Sequence, residues 1–395
     1  MKGLECLLRF VDEHKGDDPD RLLLSAKRYP EVDMPLAVDQ ILARRKVKDK
    51  LPTWWANKDV FFPSRISAEQ CSGELAATYK QTLVSEGIRM CDLTGGLGVD
   101  SYFFSRKVDS LVYLERFASY CDAARHNFKA LGADNIEVVN GDSLSALEGK
   151  GPFDLFCIDP ARRGEGNKRI FALRDCEPDL TALMPDLLEH APRVIAKISP
   201  MADIRQTSAL LPWTTEVHVV SVRNECKELL FLMDNERMED RVNLPITCVN
   251  LGSDQAAFKF TLAEEERFPS RVSGDIRAYL YEPNASILKA GAFKAVASCF
   301  GLSKLHVSSH LYTSDKLVPD FPGRSFRVEE VIPFTNKRCK TLSRQISQAN
   351  ITVRNFPLSV DELRKQTKIA DGGITYLFAT TLENGDKILV KTHKI

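Results

Sequence analysis

The 395-residue sequence carries no excess of either charge: lysine and arginine number 54, and so do aspartate and glutamate. This excludes a chain-wide basic coat for nucleic acid but leaves room for a local patch. Long apolar runs are missing too. None approaches the roughly 20 residues that cross a bilayer as a helix, so no membrane partner is expected. The opening stretch, MKGLECLLRFVDEHKGDD, turns acidic before an apolar signal core forms, so no secretory signal is expected either. The ten cysteines include no Cys-x-x-Cys pair. Neither a zinc ribbon nor a disulfide framework is expected; reduced thiols in a cytoplasmic setting are, and no metal site is indicated. There is no low-complexity segment and no long-period repeat. What remains is an ordinary globular composition, 44% hydrophobic and 27% charged. At about 150 residues per domain it suggests two to four folded units.

Four stretches follow one another. Residues 1–85 read as helical, with Leu4, Leu7, Leu8 and Val11, then Leu36, Ile41 and Leu42, at helical spacing. Pro52, Trp54, Trp55, Phe61, Phe62 and Pro63 interrupt this. A third helix is expected from Ser67 as N-cap, with Gln70 completing a capping box. Residues 86–238 alternate short apolar runs (IRMCDL, SLVYLE, IEVVN, FDLFCID, RVIAKIS) with helical segments, the pattern of a buried parallel sheet. EVHVVSV and ELLFLM lie too close together for anything but an antiparallel hairpin, placed at the edge of that sheet. Residues 239–318 and 319–395 then read as two small α+β domains, the last closed by a hairpin at Asn384-Gly385. The expected fold class is α/β: a Rossmann-like sheet, an N-terminal helical region and small C-terminal α+β domains.

The chemistry concentrates at the ends of the apolar runs. Met90 to Asp100 reads MCDLTGGLGVD: a strand ending at Asp92, a glycine-rich turn and a helix start. Glycines allow positive φ and close approach of a ligand, and the amides that open a helix face polar or anionic groups. A dinucleotide fingerprint starting at Gly96 would need Gly or Ala at position 101, which is Ser101. SLVYLE ends in Glu115, 23 residues after Asp92, and one carboxylate can accept from both hydroxyls of a ribose diol. IEVVN runs into Asn140-Gly141-Asp142, and FDLFCID into Asp159-Pro160-Ala161-Arg162-Arg163-Gly164. Each acid alone reads as well as a solvated strand terminus. The set of four strand ends points to one site.

At these residues the sequence resembles the class I S-adenosylmethionine-dependent methyltransferases over about residues 86–238, with Thr94 in place of the first glycine of their turn. The resemblance implies S-adenosylmethionine as cofactor, held by Asp92, Thr94, Gly95, Gly96, Gly98, Glu115 on the ribose and Asp142 near the adenine. It implies that Asp159 and the Pro160 carbonyl orient the target. In amino-methylating relatives a second proline and an aromatic follow; here Ala161 and Arg162 stand there, and Arg162 could stack on a base through its guanidinium plane. Asp-Pro-Ala-Arg also looks like the motif of uridine C5 methyltransferases, but the position that would carry their cysteine reads Lys197-Ile198-Ser199-Pro200. Transfer without a cysteine nucleophile is therefore expected.

Arg163, Lys168, Arg169 and Arg174 crowd the loop after Arg162, and Lys197 ends the next strand. These are candidates for phosphate contact, with a solvated face and a capped strand end as the plain alternatives. Phe61, Phe62 and Gln70 could cover the cofactor; for the two aromatics core packing is the preferred reading. Beyond the core, Tyr279-Leu280-Tyr281-Glu282-Pro283-Asn284, Lys289-Ala290-Gly291 and Asn350 to Pro357 resemble the bacterial methyltransferases in which a ferredoxin-like module precedes a THUMP-like one. That resemblance implies a structured-RNA partner. From residue 320 onward, 13 lysines and arginines face 8 acids, in keeping with it. The expected activity is methylation of an RNA base. The alternatives are a non-catalytic cofactor- and RNA-binding module, or methylation of a protein or small molecule.

Overall fold

The structure, a computed structural model, describes residues 2–142, 144–162, 176–235 and 243–395. They form two compact units, the first holding residues 1–214 and 230–237, the second residues 215–229 and 238–395. Among the described residues no helix is long and apolar enough to cross a membrane.

The first unit begins with helices Lys2–Glu13, Pro19–Leu24 and Met34–Val47, closed on one another through Leu7, Val11, Leu22, Val38 and Ile41. Asp18 and Asp33 cap the second and third, accepting from main-chain N–H groups of the first turn. Pro52 does not simply interrupt the helical pattern. It opens the short helix Pro52–Ala56, where its missing N–H has no helical partner to lose, and Trp54 is completely buried. The capping box lies earlier than the spacing suggested. Ser64, not Ser67, is the N-cap, Ser67 occupies N3, and the helix Arg65–Gln70 ends where the expected one was to begin its second turn. A separate helix, Glu74–Thr82, follows.

Strands β1 (Arg89–Asp92), β2 (Ser110–Glu115), β3 (Ile136–Asn140), β4 (Leu155–Ile158), β5 (Ala161–Arg162), β6 (Cys176–Glu177) and β7 (Arg193–Ile198) come next. The five longer ones build a parallel sheet in the order β7-β4-β1-β2-β3, and Leu230–Asp234 adds beside β7. β5 and β6 make a separate two-stranded ribbon. Val112, Tyr113, Phe156 and Ile195 are fully or almost fully buried, as strands covered on both faces require. Because the strands are parallel, all their C-terminal ends open on one edge, the edge where open α/β sheets bind ligands.

β8 (Thr214–Val222) and β9 (Glu225–Asp234), of which residues 215–229 belong to the second unit, form the expected hairpin. Its two-residue turn, Arg223-Asn224, has positive φ at both positions (50° and 66°), as a tight hairpin of right-twisted strands demands. The hairpin does not end the architecture. β10 (Pro245–Leu251) lies parallel to β8, and β11 (Phe258–Thr261) antiparallel to β10. A second sheet contains β12 (Tyr279–Pro283), β13 (Ser303–Lys304), β14 (Tyr312–Ser314), β15 (Gly323–Pro333), β16 (Asn350–Arg354), β17 (Thr375–Thr381) and β18 (Lys387–Lys394) in the order β13-β14-β12-β15-β18-β17-β16. The segment after β12 is two helices, Ala285–Ala290 and Phe293–Cys299, broken at Gly291 with φ 73°. A side-chain amide relay joins the hairpin turn to this sheet. Asn224 N–H donates to Asn250 Oδ1, Asn250 and Asn284 both donate to Gln255 Oε1, and Gln255 donates to the Gly323 carbonyl.

Candidate active site

The turn after β1 is assembled from its own backbone and two neighbouring strands. Gly95 N–H donates to the Leu114 carbonyl at 2.9 Å, and Gly98 N–H to the Gly95 carbonyl at 2.9 Å. Gly96 and Gly98 hold φ at 54° and 85°. The glycines serve different purposes. A Cβ on Gly95 would collide with the Tyr113 ring, and one on Gly98 would stand 2.7 Å from Phe128 Cζ. Those two positions are demanded by packing beneath the turn. Only Gly96 faces open space, where a Cβ would meet nothing closer than 3.8 Å.

Asp92 braces this turn from below. It is 4% exposed, and its two oxygens accept from Thr94 N–H at 3.1 Å and Ser101 Oγ at 2.5 Å. Burial pushes its carboxyl up to about 6; the nearby Asp100 and Asp159 charges add to the rise, and the Ser101 and Thr94 hydrogen bonds oppose it. Thr94 has its own task. Its hydroxyl accepts from the Asp159 main-chain N–H at 2.6 Å, pinning the end of β4 to the turn. The threonine that replaces a family glycine thus joins the cofactor turn to the predicted catalytic loop.

Glu115 stands at the end of β2, its oxygens accepting Gly96 N–H at 3.0 Å and Phe117 N–H at 2.9 Å. A carboxylate offers about four acceptor positions, so two remain for a diol. Phe117 is 51% exposed and carries the Arg116 guanidinium 4.8 Å from its ring centroid. Arg116 also pairs with Glu177 of β6 at 3.1 Å. Gly141 N–H donates to the Glu115 carbonyl, which places Asp142, an exposed residue, just beyond the adjoining end of β3. Asp159, 44% exposed, forms an ion pair with Lys197. Pro160 follows it, half-buried. Lys197 was expected on substrate phosphate; here its ammonium meets the predicted catalytic carboxylate.

Arg162 lies in β5, and its side chain is outside the described residues, as are Arg163, Lys168, Arg169 and Arg174 altogether. Phe62 is fully buried in the core against the sheet, and Phe61 packs partly buried on the N-terminal helices, so both aromatics serve packing. Gln70 is exposed.

One buried group escaped the sequence reading. Lys80, 1% exposed, donates to Asp100 Oδ2 and Ser72 Oγ, both at 2.8 Å, and Ser72 Oγ donates to the same Asp100 oxygen at 2.7 Å. Burial raises the Asp100 carboxyl, but the Lys80 and Lys197 charges and the Lys80 and Ser72 hydrogen bonds together hold it below the usual carboxylate range. Asp100 was visible in the MCDLTGGLGVD motif, but nothing local marks Lys80, twenty residues earlier, as its partner. The free acceptor positions of Glu115, the open face of Gly96 and the exposed Phe117 ring fit the adenosyl cofactor implied by the resemblance.

Over its full length the chain is similar to the candidate methyltransferase of Porphyromonas gingivalis W83, solved as a crystal structure: 38% identity, 100% of this chain and 98% of that one covered, TM-score 0.92. The chain belongs to that methyltransferase family. A ferredoxin-like domain family matches residues 279–322, and a THUMP domain-like family matches residues 323–394. The methyltransferase is also similar to a protein-L-isoaspartate O-methyltransferase from Rhodopseudomonas palustris (strain BisB5), 31% identical over 128 residues, which are 32% of this chain and 52% of the relative. A protein-L-isoaspartate O-methyltransferase 2 from Rhodopseudomonas palustris (strain HaA2) is 35% identical over 82 residues, 21% of this chain and 38% of the relative. The chain spans about half the length of these curated relatives or less.

Proposed function

We propose that this methyltransferase uses S-adenosylmethionine to methylate a base of a structured RNA. The observation that carries the reading is the tie between three strand ends: Gly96 N–H on Glu115 and Asp159 N–H on Thr94 hold the turn, the β2 acid and the β4 acid around one edge. The cofactor supplies a methyl carbon activated by a positive sulfonium. Glu115 grips the ribose through its two remaining acceptor positions, Asp142 receives the adenine amino group, Phe117 lies along the adenine, and Gly96 leaves room for the methionyl end. Asp159 and the Pro160 carbonyl orient the target atom, and Lys197 fixes the Asp159 carboxylate. Alignment of this kind can remove about 7–11 kcal/mol from a bimolecular barrier in favourable cases. The THUMP-like segment supports RNA as the substrate class.

Purified protein offered labelled cofactor with RNA, protein and metabolite fractions tests the reading, which expects label in RNA. Label confined to protein carboxylates would replace it with the second reading, favoured by the likeness to isoaspartate O-methyltransferases. In Asp159→Ala turnover should vanish while cofactor affinity, followed by calorimetry, stays within a few-fold. Equal loss of both would overturn the division of roles.

A further inference from the structure

The second unit holds a buried acid with more positive charge around it than it needs. Glu282, on β12, is 3% exposed at its side chain, yet two arginines converge on it. Arg324, its register partner on β15, donates Nε and Nη2 to Oε2. Arg354, at the end of β16, donates Nε at 3.2 Å and Nη2 at 2.9 Å to Oε1. One negative charge is thus shared by two positive ones, and the cluster retains a net charge of plus one. Both guanidiniums are part-exposed, at 32% and 40% of their side chains. Each engages the acid through two nitrogens only, so Nη1 of each is left over.

A carboxylate that merely needed neutralising would be satisfied by one guanidinium. Ordering two long side chains on it carries an entropic cost, and it yields a rigid pair of forks of the kind that suits phosphate oxygens. His310 is pushed down to about 4, chiefly by burial and further by the Lys304 and Arg354 charges, so it carries no proton at neutral pH. The Arg324 guanidinium lies over the Phe326 and Tyr376 rings, 5.6 Å and 5.9 Å from their centroids, which further fixes its orientation.

We propose that Arg324 and Arg354, pre-ordered by Glu282, form a phosphate-binding site for the RNA backbone. This rests on the reading of the protein as an RNA methyltransferase. Glu282 is the positioning residue: it touches no phosphate but holds both forks in place.

The test is binding of a fluorescently labelled bacterial RNA fraction to the full-length protein across a salt series. Inorganic phosphate runs as a separate competitor arm, and thermal melting controls for folding. Each phosphate contact contributes about 0.7–0.9 to the slope of log affinity against log salt. Arg324→Gln and Arg354→Gln should each lower that slope by about one contact and weaken binding about tenfold near 0.1 M salt. Either change also leaves Glu282 less well paired, so Glu282→Gln provides an independent check. It removes the acid and leaves both arginines; because Glu282 pre-orders the forks, RNA binding should weaken even though the local positive charge rises by one. Unchanged affinity and slope in both arginine variants, or unchanged or tightened binding in a folded Glu282→Gln protein, overturns the site while leaving the RNA reading in place. Failure of wild type to bind any RNA overturns both. Competition by millimolar inorganic phosphate as strong as that by RNA would reassign the site to a free phosphate.

Discussion

The main-chain N–H of Asp159 donates to Thr94 Oγ1 at 2.6 Å, so one hydroxyl ties the glycine-rich turn to the loop that follows β4. Thr94→Val keeps the shape and deletes the acceptor, leaving a part-buried N–H unmatched. Its cost in such a setting is about 1–3 kcal/mol. Turnover should fall about 10- to 100-fold with little change in cofactor affinity, because misplacement rather than lost binding is the defect. Single-turnover kinetics beside calorimetric cofactor titration checks this.

Lys80 is the counter-ion that keeps Asp100 charged inside the fold. Lys80→Met should destabilise the protein by about 3–5 kcal/mol, the usual consequence of stranding half of a buried pair. Lys80→Met combined with Asp100→Asn should recover most of that loss. Urea unfolding of the two variants decides it; a double variant no more stable than the single would show that the pair is not coupled.

Asp92 carries its own pH signature. Its folded-state carboxyl titrates at about 6 against an ordinary 3.8, chiefly through burial. Its contribution to stability is complete below about pH 4 and is lost as pH rises through about 6, because the folded protein then gives up a proton the unfolded chain has already released. Asp92→Asn cannot titrate and should show a flatter profile. The wild-type urea midpoint, taken relative to that of the variant, should be higher at pH 4.5 than at pH 7.

Gly98 and Gly87 both have positive φ, at 85° and 70°, but only Gly98 has a neighbour, the Phe128 ring, where a Cβ would go. Alanine at Gly87 should cost only the left-handed backbone strain, about 1–2 kcal/mol. Alanine at Gly98 adds overpacking of about 1–3 kcal/mol. Paired thermal melts should rank Gly98→Ala well below Gly87→Ala.

The legibility of this molecule in its sequence follows the range of the forces involved. Strand–helix alternation and the acids at strand ends are local patterns, so β1, β2, β3, β4 and β7 could be read directly. The capping box moved from Ser67 to Ser64 because two hydroxyl residues three apart offer competing starts, and the core position of Ser67 and Ala68 selects between them. Thr94 could be seen as a departure from a glycine pattern, but its partner 65 residues on could not. No local pattern marks Lys80; the packing of Glu74–Thr82 against Val99–Ser105 accompanies its burial. Lys197 lies near the end of β7, a strand end legible in the sequence, but its pairing with Asp159, which follows the neighbouring strand β4, was not.

The boundary between the two family matches, at residues 322 and 323, runs along a seam of main-chain hydrogen bonds, since β12 on one side pairs with β15 on the other. Homology modules and folding modules therefore do not coincide here. A gene fragment cut at that point would leave both halves with a bare strand edge, prone to self-association.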